Sequence, residues 1–328
     1  MKPVLPLPYG RGSSVAATAF AGLAWLACFL PAMAAEPVGG GREAAVEEAR
    51  AAPADDERFL RITRDQRRRP LALETAIASY IEPGDVAAAA GRRDPVEVDL
   101  VGAVHLGSRQ YYDTLDRLFT DYDAVLYELV APDNARVPQP GRKPSGAIGS
   151  AQQGLTKMLG LEFQLDEIDY TARNFVHADL SPKEFDAAMA KRGESWWTMF
   201  TRVMRESSAR AGKQPASDVG VGDLFGILFG QNRELRLRRL MAEQFTDMEV
   251  LTAAFGGEEG SSLITDRNAA ALDVLKEQIA KGRRKIAIFY GAAHMDDFDE
   301  KLRRDFQLQL RETVWLEAWD LRDPAERN

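Results

Sequence analysis

Two short stretches of the same design lie about 190 residues apart and constrain the fold of this chain more than anything else in it. The first is Val98-Asp99-Leu100-Val101-Gly102-Ala103-Val104-His105, and the second is Ile286-Ala287-Ile288-Phe289-Tyr290-Gly291-Ala292-Ala293-His294. Each is an apolar run of strand length closed by Gly-x-x-His and followed by a segment of helical pattern. The chain has only 3 histidines, and two of them occupy these equivalent places. Glycine lets the backbone turn or approach a neighbour closely, which leaves the imidazole at the C-terminal edge of a sheet. That edge is where open α/β folds bind ligands. A single histidine at a strand end is as readily a core hydrogen-bonder; the matched pair favours a shared cleft.

The rest of the composition narrows the class. With 45% hydrophobic and 28% charged residues in 328, the chain has an ordinary globular composition. Residues 1–34 contain Lys2 and Arg11 and no acid, so without them the net charge of −8 becomes −10. No basic field exists to hold nucleic acid. That same segment has an apolar stretch from Val15 to Leu30 and Ala32-Met33-Ala34 before Ala35, the form of a cleaved secretory signal. The expected location is periplasmic or secreted, with membrane attachment only if the segment stays uncleaved. Cys28, the single cysteine, lies inside it, so the mature chain has no thiolate to offer a metal or a substrate.

Residues 35–56 carry almost no large apolar side chain and read as a flexible leader. From 57 to 328 we expect one α/β domain: a mixed central sheet from two related halves, each with a strand, Gly-x-x-His and helix, and a helical insertion at about 145–255. Strands are expected at Arg58 to Thr63, Leu71 to Ile81, Val98 to Val104, Ala124 to Val130, Ile286 to Tyr290 and Thr313 to Trp319. The strand, helix, strand order after the first motif predicts that the Ala124 strand lies directly beside the one ending in His105. Ser181-Pro182-Lys183-Glu184 has the form of a capping box with proline in the first turn. Trp196 and Trp197 read as packing anchors in the insertion, and Gly220, Gly222 and Gly226 do not form a dinucleotide-binding pattern.

Four further side chains are candidates for chemistry. Glu128 interrupts an apolar strand, where a carboxylate is costly unless paired, metal-bound or at the exposed end. Arg267 falls on the same helical face as Ile264, Ala271, Leu272 and Leu275, so it has an anionic partner such as Glu128 or snorkels from the first turn. His177 stands in an apolar stretch before the Ser181 cap. Asp296, with Asp297, follows His294 closely and is either a further ligand or a charge placed at a helix N-terminus. His105, Glu128 and His294 together offer two imidazoles and one carboxylate, a set suited to a divalent metal such as manganese, cobalt or zinc.

Val101-Gly102-Ala103-Val104-His105, Leu126-Tyr127-Glu128-Leu129, Leu263-Ile264-Thr265-Asp266-Arg267-Asn268 and Tyr290-Gly291-Ala292-Ala293-His294 resemble, in order, four blocks of the TraB/GumN family. The resemblance spans roughly residues 58–320. It implies an α/β fold whose two Gly-x-x-His motifs face one cleft and, for TIKI-like members, divalent-metal-dependent peptide hydrolysis. Carried residue by residue, His105, Glu128, Arg267 and His294 match. Asp266 stands where the family usually has Glu, and residues 131–255 show little that aligns. The leading expectation is a metal-dependent, peptidase-like hydrolase acting on a peptide or small molecule, with Glu128 as ligand or base and Arg267 stabilising the oxyanion. The alternatives are a metal-independent, esterase-like hydrolase and a non-catalytic protein that binds a peptide or cofactor.

Overall fold

The computed structural model describes residues 58–131, 146–194, 232–246 and 262–324. The expected signal, the leader, Trp196, Trp197, the Gly220 run and the remainder of the insertion lie outside the described residues. Among the described residues no helix is long and apolar enough to cross a membrane.

Strand β1 (Leu60–Arg64) turns at Asp65, whose carboxylate accepts the Arg67 and Arg69 N–H groups, and returns as β2 (Pro70–Ile81). Helix α1 (Gly84–Ala89) leads to β3 (Glu97–Ala103), the first motif strand. After His105 come a short β4 (Leu106–Gly107), helix α2 (Arg109–Phe119) and β5 (Ala124–Tyr127). Helix α3 (Gly146–Leu159), β6 (Glu162–Phe163), α4 (Gln164–Glu167), β7 (Phe175–His177), α5 (Pro182–Lys191) and α6 (Arg233–Thr246) follow. A π-helical turn at Ser262–Asp266 opens α7 (Arg267–Ala280), which delivers the chain to β8 (Lys285–Gly291), the second motif strand. Helix α8 (Met295–Asp305) and β9 (Gln309–Asp320) close the fold.

The sheet is mixed and seven-stranded, as the sequence leads one to expect. One edge of β2 pairs antiparallel with β9 along most of its length; the other is shared end to end by β1 and β3, both antiparallel to it. Beyond β3 the order is β8, β5, β7, all parallel. Glycine is needed at 102 because β1 enters where β3 ends: a Cβ there would stand 3.3 Å from the Ala76 carbonyl oxygen.

β3 and β8 are mostly apolar because each face of the sheet is covered; Asp99, the buried exception in β3, accepts the Tyr122 hydroxyl. Val101, Ala103, Ala287 and Phe289 point into a core beneath Tyr111, Tyr112, Leu115 and Phe119 of α2. Val98, Leu100, Ile286, Ile288 and Tyr290 point into the opposite core, under Ala271, Leu272 and Leu275 of α7 and Met295, Phe298 and Leu302 of α8.

Two expectations about order need correction. The Ala124 strand is not beside the one ending in His105: β8 lies between them, and β5 pairs with β8 and β7. The crossover through α2 leaves one lane of the sheet open, and α7 brings the second motif strand into it. The insertion is also not wholly helical, because it contributes β7 to the main sheet and β6 to a two-stranded pair with β4.

Candidate active site

The two motif strands are immediate neighbours in parallel register, Gly102 opposite Tyr290 and Ala103 opposite Gly291. Both histidines therefore leave the sheet at the same edge. His294 ends a 3-10 turn (Ala292–His294) that breaks the strand before α8 starts, and it is 4% exposed. His105 lies just past β3, partly buried, its carbonyl accepting the Gln164 N–H at 3.0 Å beside the β4–β6 pair. The charge of His105 acts on both Glu128 and His294, so the three groups share one electrostatic neighbourhood.

Glu128 is the first residue beyond β5, and its N–H still donates to the Phe289 carbonyl at 3.2 Å. That pairing with β8 leaves the side chain facing Gly291 and His294. Glu128 Oε2 accepts the Gly291 N–H at 2.8 Å, and Oε1 accepts Arg267 Nη2 at 2.7 Å. Burial works to raise its pKa, but the Arg267 guanidinium above all, with His294, His105 and the Gly291 N–H, outweighs it, and the carboxyl is held well below the usual carboxylate range.

Arg267 opens α7 on its inward face, as its spacing requires, and is 9% exposed. Besides Glu128 it grips Asp179, with Nε at 2.9 Å from Oδ1 and Nη2 at 2.6 Å from Oδ2. The Asp179 side chain is fully buried. Two carboxylates thus share one guanidinium, and burial, which lowers the arginine pKa, is overcome by both of them.

His294 is locked by the next residue on the same helix. Asn268 Nδ2 donates to the His294 carbonyl at 3.0 Å and to Asp297 Oδ2 at 2.7 Å, so the amide oxygen must face the ring, 2.6 Å from His294 Nδ1. Nδ1 then carries the proton and Nε2 a lone pair. That lone pair lies 3.6 Å from Glu128 Oε1. Burial drives the His294 pKa down to about 4 even though Glu128 opposes the shift, so the ring is neutral at neutral pH. The Tyr290 ring meets the imidazole edge-on at 5.1 Å, and Lys301 Nζ holds Asp297 Oδ2 at 2.7 Å.

The other two candidates are placed differently. His177 ends β7 opposite Tyr127, and its Nε2 bonds the Leu129 carbonyl at 2.6 Å, which steadies the backbone just after Glu128. Asp296 is in the first turn of α8, half exposed, with Arg58 at 3.5 Å. Asp179 and Asn268 are the residues that sequence reasoning missed. A carboxylate inside Phe175-Val176-His177-Ala178-Asp179-Leu180 is as costly unpaired as Glu128, and that signal could have found Asp179.

As they lie, no three His, Cys, Asp or Glu side chains among the described residues surround one point closely enough to hold a metal ion. The chemistry of the donors nonetheless suits a cation. Two lone-pair acceptors face each other, the carboxylates outnumber the guanidinium, and the imidazole is oriented through its other nitrogen by Asn268, as metal-ligating histidines are by a hydrogen-bond acceptor. No protein-family model, curated protein or solved structure matches this chain.

Proposed function

We propose that the chain is a periplasmic or secreted hydrolase of the TraB/GumN kind, peptidase-like in its chemistry, with its site at the shared end of the two Gly-x-x-His strands. The observation that carries this reading is His294 Nε2 facing Glu128 Oε1 at 3.6 Å, both of them acceptors. A divalent cation or a water molecule satisfies that pair of acceptors. His294, Glu128 and His105 would hold manganese, cobalt or zinc. A metal bound there supplies an acidified water and polarises the substrate carbonyl.

Asn268 keeps the Nε2 lone pair directed at the cleft, and Gly291 N–H with Arg267 Nη2 fixes both Glu128 oxygens. Arg267 keeps Glu128 ionised, able to accept a proton from attacking water. Its Nη1 makes no hydrogen bond among the described residues and is the edge of the guanidinium left for the developing oxyanion. Hydrolysis of an amide at this place adds water across the C–N bond, the proton passing through Glu128 to the leaving amine.

Metal content of the purified mature chain, after supply of manganese, cobalt or zinc, tests the reading. About one ion per chain is expected in the wild type, and loss of it in His105→Ala and His294→Ala. No bound ion in the wild type would remove the metal role. A metal-free variant of the chemistry draws on the neutral state of His294, which makes Nε2 a general base for water. Peptide or ester hydrolysis that persists in chelator and vanishes in His294→Ala distinguishes it.

A further inference from the structure

The opposite edge of the sheet, where the parallel strands begin at Glu97 and Lys285, carries a second concavity. Its volume is about 600 Å³, and it lies between the end of β2, the Gly91 turn, the last turns of α7 and the Phe306–Leu308 link into β9. That size is within the range of small-molecule sites. Ile279, Phe306 and Leu308 give it an apolar side, while Arg92, Lys276 and Arg284 face it against one carboxylate, Glu82.

Among the lining residues three cations face one carboxylate, with Asp273 and Asp123 close outside. Glu82 is 4% exposed and is matched by Arg92, whose Nε lies 3.1 Å from Oε2 and whose Nη2 bonds Oε1; it also accepts the Val96 N–H at 3.2 Å. The Arg284 guanidinium donates to the Ile279 carbonyl at 3.2 Å and the Arg283 carbonyl at 2.8 Å; its charge also acts on Glu82 and Asp123, though among the described residues no carboxylate lies within ion-pair distance of it. Lys276 meets Asp273 on its exposed outer side at 2.9 Å. A guanidinium with no directly paired carboxylate among the described residues, next to an apolar wall in a cavity, is a receptor for a carboxylate bearing a hydrocarbon chain.

We propose that this cavity binds an amphipathic monoanion, its carboxylate between Arg284 and Lys276 and its apolar chain along Ile279, Phe306 and Leu308. The inference does not depend on the hydrolytic reading, because no residue is shared with the Gly-x-x-His cleft.

Calorimetric titration of the full chain with octanoate, with octanol and acetate as controls, tests it. Saturable one-site binding of octanoate is expected, with octanol weaker by about tenfold or more for want of the charged contact and acetate weaker by about tenfold or more for want of the apolar chain. Arg284→Gln should weaken octanoate by about tenfold. Lys276→Gln, at an exposed position that does not threaten folding, should weaken it measurably as well. Absence of saturable binding overturns the proposal. So does octanol binding as well as octanoate, or an affinity for octanoate unchanged in Lys276→Gln.

Discussion

Asn268 fixes which nitrogen of His294 is available: its amide oxygen lies 2.6 Å from Nδ1, and Nε2 is left facing Glu128 Oε1 at 3.6 Å. The lock is secure because both hydrogens of the amide are already engaged, one by the His294 carbonyl and one by Asp297. Lys301 in turn holds Asp297. A neutral amide, two turns of backbone and one ion pair therefore set the chemistry of an imidazole.

Asn268→Ala should release that lock. The 15N shifts of the His294 ring should move from an Nδ1–H pattern toward a mixture of tautomers. Metal affinity, or activity, should fall by about 10- to 100-fold, the usual effect of losing such an anchor. Ring shifts identical to wild type would show that Asn268 does not set the tautomer.

Arg267 carries the largest stability prediction. Arg267→Met leaves Glu128 and Asp179 buried with no counter-charge, and breaking a buried pair in this way costs about 3–5 kcal/mol. Glu128→Gln should cost less, since Asp179 still satisfies the guanidinium through two hydrogen bonds. Urea unfolding of both variants gives the comparison. A smaller loss for Arg267→Met than for Glu128→Gln would contradict this ordering.

How far these residues were legible in the sequence follows from the kind of signal each one gives. Glu128 and Arg267 stand out because a charge in an apolar pattern needs a partner, and the two turn out to be each other's. The histidines stand out because they are rare and matched. Asn268 gives no such signal, since an amide in the first turn of a helix is ordinary; only the three-dimensional placement of α7 beside His294 reveals its role. The lane that β8 takes between β3 and β5 is equally silent, because strand order depends on contacts far apart in the chain. β7 is three residues long, too short for an alternating pattern to be read.

Asp299 governs acid stability away from the cleft. Burial works to raise its pKa, but hydrogen bonds from Tyr80, Arg303 and Arg58 outweigh it, so its folded pKa is depressed. A depressed carboxylate contributes stability that is present above the unfolded pKa of about 3.9 and lost as pH falls through the folded value. Wild type should therefore lose stability below about pH 4 more steeply than Asp299→Asn. Melting temperatures taken between neutral pH and acid should converge toward the acid end. Parallel curves would mean that Asp299 is not a source of the acid sensitivity.

The last prediction concerns the cation itself and separates the ligands by linkage. An ion that binds only the folded chain stabilises it by RT ln(1 + [L]/Kd), about 2.7 kcal/mol at a hundred times Kd. Manganese, cobalt or zinc should accordingly raise the melting temperature of the wild type in a concentration-dependent way, and chelator should reverse the rise. His294→Ala should abolish the effect because it removes a nitrogen whose lone pair is directed at Glu128. His105→Ala is the more informative variant. If His105 closes the ligand set, its removal should shift the metal titration to higher concentration by at least about tenfold while the metal-free melting temperature changes little, since the ring is only partly buried. A metal-induced rise identical in wild type and His105→Ala would take His105 out of the site and leave the cation, if bound, to Glu128 and His294.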